Sequence, residues 1–135
     1  MSLSAQDALV YLMVVTASSD NGMSDRELGL IGGLIDRSPV FEGYARDRLA
    51  TVANDCVDGI NGSTGLEGVL DTAVAALPER LQDTAYALAV EVAVVDLRLP
   101  QEELRLLEMI RDRLKTDRLV TAAIEAAVRA RMRKA

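Results

Sequence analysis

Two pairs of acidic residues recur at the same spacing in distant segments of the chain. Asp20 and Glu27 lie seven residues apart, and Asp96 and Glu103 repeat that spacing. If the two segments pack together, the four carboxylates repel one another unless a positive charge compensates them. Ca²⁺, Mg²⁺ and Mn²⁺ prefer oxygen ligands and would supply that charge. The four residues are therefore a candidate site for a divalent cation.

The acidic pairs belong to an internal repeat with an offset of 76 residues. At this offset LMVVTASSDNGMSDRELGLI (12–31) aligns with LAVEVAVVDLRLPQEELRLL (88–107). Each copy consists of an apolar helix, an aspartate, a short turn, and a second helix that begins before a glutamate. Self-similarity of this kind indicates a duplicated supersecondary unit. Two such hairpins packed about a pseudo-twofold axis would bring their turns, and the four acids, together.

Each acid also has an explanation that needs no metal. Ser24 and Glu27 have the spacing of a capping box, in which each side chain bonds the other residue's backbone amide. The second copy does not select Glu103 in this way, because Glu102 takes the equivalent position if the helix begins at Pro100. Aspartates at turns can close Asx turns. Three arginines are near enough in sequence to neutralise the acids: Arg26, Arg98 and Arg105.

Hydrophobic periodicity predicts helices almost throughout the chain and no strand. Residues 1–135 are expected to form a single all-α domain. Its predicted architecture is a compact antiparallel bundle of about seven helices that contains the pseudo-twofold helix–turn–helix repeat. The predicted helices span residues 4–19, 24–37, 40–57, 66–76, 78–95 and 100–115, with a last helix capped by Thr116.

Glycines mark two further features of the predicted bundle. The stretch DGINGSTG (58–65) is the clearest loop, and Asp55, Asp58 and Asn61 are expected to be turn residues. Gly29, Gly32 and Gly33 lie inside the second predicted helix, where each costs roughly 1 kcal/mol relative to alanine. They predict a close crossing with another helix.

The sequence lacks residues that many metal and catalytic sites need. It contains no His and a single Cys, Cys56, so zinc, haem and iron–sulfur sites lose their usual ligands. A Ser–His or Cys–His catalytic pair is excluded as well. No nucleophile motif, phosphate-binding loop or cofactor fingerprint accompanies the carboxylates. An enzyme using carboxylates alone is the remaining catalytic alternative, and a protein that is not an enzyme is favoured. Cys56 is expected to be a core thiol.

The net charge of −6 is unevenly distributed along the chain. Residues 1–110 contain 7 basic and 18 acidic residues, whereas residues 111–135 contain 8 basic and 3 acidic ones. The acidic body argues against nucleic-acid binding. The basic end, RARMRKA, either complements the dipole of a helix C-terminus or contacts an anionic surface or partner. No signal peptide and no membrane-spanning run is apparent, so the bacterial-type cytoplasm is the expected compartment.

The segments ASSDNGMSDRELGLI and VVDLRLPQEELRLL resemble the two signature segments of the TerB-like (tellurite-resistance) family. The resemblance covers residues 5–115 and implies an all-helical fold. The family pattern is Ala-x-x-Asp-Gly, a short turn, and a Glu seven residues after the Asp. Its acidic positions are regarded as a metal-binding site, and here they fall on Asp20, Glu27, Asp96 and Glu103. The chain departs from the pattern where Asn21 precedes the glycine of the first turn and where an arginine replaces the glycine of the second.

The predicted function is that of a non-enzymatic, TerB-like helical protein that binds a divalent cation (Ca²⁺, Mg²⁺ or Mn²⁺) through the duplicated acids. The resemblance implies a role in chemical-stress (tellurite-type) response or as a module in protein assemblies. A protein partner is expected, with no nucleic acid and no transmembrane segment. The alternative is a metal-free structural interaction module whose acids are held by arginines. The sequence leaves a monomer and a homo-oligomer both open.

Overall fold

The computed structural model describes residues 3–17, 22–96 and 100–135, with residues 96 and 100–104 described by their backbone alone. These ranges hold seven α-helices and three 3₁₀ helices and no strand, which confirms the predicted all-α bundle. No helix within them is long and apolar enough to cross a membrane. The α-helices are α1 (Ala5–Ala17), α2 (Asp25–Arg37), α3 (Leu49–Asn61), α4 (Gly65–Ala75), α5 (Gln82–Asp96), α6 (Pro100–Arg113) and α7 (Arg118–Arg131). The 3₁₀ helices are Pro39–Phe41, Arg46–Arg48 and Glu79–Leu81.

Helices α1 and α5 form the centre of the bundle. Ten of the 13 residues of α1 are buried, because apolar residues occupy every side of this helix rather than one stripe. α1 contacts α2, α3, α4, α5 and α6, and α5 contacts α1, α2, α6 and α7. Full burial of a Val or Leu side chain stabilises the folded state by roughly 1.5–3 kcal/mol relative to its exposure. α1 and α5, the first helix of each predicted repeat copy, thus supply many of the buried core side chains.

If a two-fold axis related the α1–α2 hairpin to the α5–α6 hairpin, each helix contact would have a counterpart. The contacts among α1, α2, α5 and α6 agree with that pattern. α1 contacts α2 within the first hairpin, and α5 contacts α6 within the second. Across the hairpins, α1 contacts α6 and α2 contacts α5, so each of these contacts is the counterpart of the other. α1 and α5 also contact each other directly. These contacts are necessary for the predicted repeat, and its two-fold symmetry stays a prediction.

The prediction of one helix over residues 40–57 is wrong. Pro39–Phe41 forms a 3₁₀ turn, and Gly43 follows in the left-handed region with a φ of 81°, where a residue with a Cβ is strained. The buried Phe41 packs edge-on against the Tyr44 ring. These residues turn the chain before α3 begins at Leu49. α3 then runs to Asn61, so the predicted loop shrinks and Asp55, Asp58 and Asn61 are helical.

Several predicted helix ends are shifted. Pro78 precedes a 3₁₀ turn rather than opening α5. The N-cap of α7 is Asp117, whose carboxylate accepts a hydrogen bond of 2.7 Å from the Leu119 N–H, and not Thr116 as predicted. α1 does begin after Ser4, whose hydroxyl accepts the Asp7 N–H at 3.0 Å. An N-cap is recognisable only within a residue or two when several polar residues adjoin it.

The glycines of α2 do not mark a close helix crossing. A Cβ added at Gly32 would collide with the guanidinium of Arg46, and one at Gly29 would meet open space. The Arg46 Nε donates to the Gly32 carbonyl at 3.3 Å and to the Asp36 carboxylate at 3.2 Å. A side chain, rather than a helix, therefore occupies the groove that Gly32 leaves.

Cys56 lies in the core, as predicted, and its thiol contacts the Tyr11 carbonyl at 3.7 Å. Burial raises the pKa of this thiol from 9.0 to about 12. A group whose pKa is raised by folding stabilises the protein fully below its unfolded pKa and loses that contribution as pH rises through the folded pKa. The thiol contribution is therefore complete below pH 9 and declines between pH 9 and about 12.

We expect the stability difference between wild type and Cys56→Ala to fall by about 1.4 kcal/mol per pH unit in that window. The difference should be flat between neutral pH and the onset of the window. Urea unfolding of both proteins across this range, under reducing conditions, measures it. A difference that stays constant throughout would contradict the burial of a neutral thiol.

Candidate functional site

Glu27 is the only one of the four predicted ligands whose side chain falls within the described part of the structure. Asp20 lies outside the described residues. Asp96 is the last residue of α5 and Glu103 is the fourth residue of α6, and both are described by backbone alone. The prediction that four carboxylates meet at one point therefore stays a prediction. Among the described residues, no group of three or more His, Cys, Asp or Glu could hold a metal ion.

Glu27 forms the predicted capping box at the start of α2. Its Oε1 accepts the Ser24 N–H at 2.9 Å, and the Ser24 hydroxyl accepts the Glu27 N–H at 3.1 Å. The residue is 4% exposed. A carboxylate at this end of a helix is also favoured by the helix dipole. Local chemistry alone thus accounts for an acid at this position, whether or not it also binds a metal.

The turn before this cap contains Gly22 in the left-handed region, with a φ of 87°. Met23 follows and packs against the core. A glycine tolerates this φ at no steric cost, whereas a β-branched residue would be strained. The entry into α2 is therefore determined by the backbone conformation of Gly22 as well as by the cap.

Ser24→Ala is expected to lower the free energy of unfolding by about 1 kcal/mol in the presence of a chelator, because it leaves one amide of α2 uncapped. Glu27→Gln keeps an acceptor oxygen in reach of the Ser24 N–H and should cost less. Ser63→Ala is the matched control, since Ser63 is exposed. Urea unfolding of the three variants tests this expectation. Equal stability of the Ser24 and Ser63 variants would contradict the role of the cap.

A second polar cluster, which the sequence does not predict, joins α1 to the start of α3. The Tyr44 hydroxyl donates to the Asp7 Oδ1 at 3.1 Å, and the Arg48 Nη2 donates to the Asp7 Oδ2 at 2.8 Å. Asp7 is 8% exposed, whereas the Arg48 side chain is half exposed. Burial, and then the Asp7 carboxylate, raise the pKa of Tyr44 to about 12. The Asp7 carboxylate at the edge of the core is therefore hydrogen-bonded to Tyr44 and ion-paired with Arg48.

A groove of about 260 Å³ opens beside this cluster, between α1 and α3. Tyr11 lines it, and burial, followed by the nearby Cys56 thiol and the Asp55 and Asp7 carboxylates, raises the pKa of the Tyr11 phenol. The phenol is therefore protonated at neutral pH. Asp7, the one deeply placed acid of the groove, already accepts hydrogen bonds from two donors. Its other lining residues are Leu3, Asp47, Thr51, Val52 and Asp55.

A third cluster fastens α7 to the centre of the bundle. The hydroxyl of Tyr86, a residue 1% exposed in α5, donates to the Glu125 Oε2 at 2.6 Å. The same oxygen lies 3.7 Å from the Arg111 Nη1 of α6. Arg131, at the other end of α7, pairs with Glu91 of α5. Burial and the hydrogen bond to Glu125 raise the pKa of Tyr86, so this phenol also stays protonated.

Comparison of the chain with protein-family models, curated proteins and solved structures gives no match in any of the three. The assignment of function therefore depends on the residues themselves.

Proposed function

We propose that the protein is a non-enzymatic helical module that binds one divalent cation, Ca²⁺, Mg²⁺ or Mn²⁺, through Asp20, Glu27, Asp96 and Glu103. The observation that carries this proposal is that the α1–α2 and α5–α6 hairpins pack against each other, with α1 contacting α5 and α6 and with α2 contacting α5. In each hairpin the aspartate lies at or just after the end of the first helix, and the glutamate lies near the beginning of the second. A two-fold relation between the hairpins would give both halves of a site the same donors.

The chemistry of the donor set supports a hard cation. All four residues are carboxylates, and the chain has no His and only a buried Cys to offer softer ligands. The Glu27 carboxylate is almost removed from water, and a buried anion needs hydrogen bonds or a cation to offset its lost hydration. Its capping bond engages Oε1. Because a carboxylate has two oxygens and about four acceptor sites, one side chain can serve both the cap and a metal ion.

The described polar clusters support a binding role rather than a catalytic one. Asp7 is engaged by a tyrosine and an arginine, and so is Glu125. The pKa values of the Tyr44 phenol and the Cys56 thiol are raised to about 12. Groups that stay protonated at neutral pH are weak nucleophiles. These features favour the non-enzymatic alternative.

The resemblance to the TerB-like family supports the wider role that we propose. In that role the module acts in a chemical-stress response of the tellurite type, or as a component of protein assemblies, in the bacterial cytoplasm. Cation binding would then link the two hairpins and so fix the surface that a partner protein contacts.

A metal-free interaction module is the second candidate, and the capping box favours it. Because the box accounts for the burial and the hydrogen bonding of Glu27, this member of the acidic corner (Asp20, Glu27, Asp96 and Glu103) does not require an ion. In this alternative, arginines near the two turns would neutralise the remaining acids.

A melting experiment separates the two candidates. Chelator-treated protein is titrated with Ca²⁺, Mg²⁺ and Mn²⁺, and the melting temperature is followed for wild type, Asp20→Asn and Asp96→Asn. The proposal predicts saturable stabilisation of wild type, reaching about 2.7 kcal/mol at a cation concentration one hundred times Kd, and its loss in both variants. If no cation shifts the melting of wild type while both variants fold normally, the metal-free module is the better account.

A further inference from the structure

We infer that the outward face of α7 is a docking surface for an acidic amphipathic helix of a partner protein. This face is defined by Leu119, Ala123, Ala126 and Ala130, all of which are exposed. The spacing of these residues, three or four apart, places them on one side of the helix. The inference concerns a surface other than the acidic corner and does not require a bound cation.

The inward face of α7 packs on the bundle. Thr121 and Val128 are buried, and Ile124 packs against the core. Glu125 accepts the hydroxyl of Tyr86, and Arg131 pairs with Glu91. Contacts at the middle and at the C-terminal end of α7 hold it on α5, so the opposite face is presented to solvent in a fixed orientation.

The outward face of α7 is more apolar than a helix face that contacts only water. A surface helix normally carries charged and polar residues opposite its buried stripe, whereas this stripe consists of one leucine and three alanines. Leu119 is 80% exposed. Every large hydrophobic residue that is exposed in the described part of the chain lies on α7 or directly after it: Leu119, Val120 and Met132.

The charges beside this face are almost all positive. Residues 118–135 contain five basic residues, of which Arg131 pairs with Glu91, and a single acidic one, Glu125, whose carboxylate is directed at Tyr86 and Arg111. One further acid, the exposed N-cap Asp117, lies at the start of the helix and accepts the Leu119 N–H. The rest of the chain carries a net charge of −10. A partner with acidic residues flanking an apolar stripe is therefore complementary to α7 in both charge and polarity. The basic residues are Arg118, Arg129, Arg131, Arg133 and Lys134.

A helix fits this face better than the other occupants. Alanines allow two helix axes to approach to about 8 Å, but they offer little apolar area for insertion into a bilayer. An anionic membrane would also repel the acidic body of the protein. A second copy of the chain would bring the same arginines against these arginines. The basic end of the sequence is thus assigned to partner contact as well as to the helix dipole.

The test uses a fluorescent synthetic helix of roughly 18 residues, long enough to cover α7, with leucines on one stripe flanked by glutamates. Its sequence-scrambled form and a version with lysine flanks are the comparison peptides. Binding is measured by fluorescence anisotropy in the presence of a chelator, so the result does not depend on the proposed cation site. The protein variants are Ala126→Glu, at the centre of the face, and Ala50→Glu, at an exposed position of α3. Circular dichroism confirms that both variants are folded.

We expect the glutamate-flanked helix to bind wild type and Ala50→Glu equally, to bind Ala126→Glu at least about tenfold more weakly, and to bind less tightly at high salt. The inference is overturned if this peptide fails to bind at millimolar concentration, if the scrambled or lysine-flanked peptide binds as well, or if Ala126→Glu has no effect. It is also overturned if Ala126→Glu abolishes binding to phosphatidylserine vesicles or dissociates a dimer in sedimentation, since either result assigns the face to a membrane or a second copy.

Discussion

A Tyr86→Ala protein is expected to be about 4 kcal/mol less stable than wild type. Tyr86 is among the largest fully buried side chains of the described core, and its removal would leave a cavity between α5 and its neighbours. The substitution also removes the hydroxyl that donates to Glu125. The loss should therefore combine the effect of a large core truncation with that of one charge-assisted hydrogen bond.

Tyr86→Phe separates these two contributions. Phenylalanine keeps the ring in place and removes only the 2.6 Å bond to Glu125, so a loss of about 1.5–3 kcal/mol is expected. Urea unfolding of the three proteins at neutral pH measures both differences. If the Phe and Ala variants lost the same free energy, the packing of the ring would contribute nothing, which is incompatible with a side chain at the centre of the core.

Replacing Asp7 with alanine should cost about 3 kcal/mol, the second largest effect. The substitution leaves the Tyr44 hydroxyl and the Arg48 guanidinium without the acceptor they share. Breaking a fully buried ion pair costs more than this, but the Arg48 side chain is half exposed and regains water. The cluster ties the first turn of α1 to the segment before α3, so unfolding of the whole bundle should report the loss.

A double-mutant cycle measures how much of this effect belongs to the ion pair. Arg48→Met keeps much of the arginine stem and removes its charge. We expect the Asp7→Ala and Arg48→Met losses to be non-additive, because the two side chains share one interaction. Additive losses would mean that the Asp7 carboxylate contributes through the Tyr44 hydroxyl rather than through Arg48.

Two features that local sequence determines are predicted correctly: the buried character of α5 and the capping box of α2. Apolar residues on every side of α1 and α5 require buried helices, and the box that opens α2 needs only Ser24 and Glu27. The prediction for residues 40–57 fails because apolar spacing does not report the left-handed φ of Gly43. The turn there is stabilised by the burial of Phe41, a tertiary contact that no local pattern records.

The polar clusters around Asp7 and Glu125 cannot be predicted from local sequence patterns either, because they depend on tertiary contacts. Asp7 and its partners are 37 and 41 residues apart, and Tyr86 and Glu125 are 39 residues apart. The one local sign of the first cluster is an acid inside an otherwise apolar helix. The acidic corner lies between these two cases. Its repeat is visible in the sequence, whereas whether its two acidic pairs meet depends on how α1 and α5 pack.

The number of ions bound per chain tests the central claim of a shared cation site most directly. Chelator-treated protein is dialysed to equilibrium against Ca²⁺, Mg²⁺ or Mn²⁺, and bound metal is measured by atomic emission for wild type, Asp20→Asn, Asp96→Asn and the control Asp58→Asn, an exposed acid of α3. We expect one ion per chain in wild type and in the control. We expect none in Asp20→Asn or Asp96→Asn, because one shared ion needs ligands from both acidic pairs. Wild type without bound metal, or variants that each retain their ion, would contradict it.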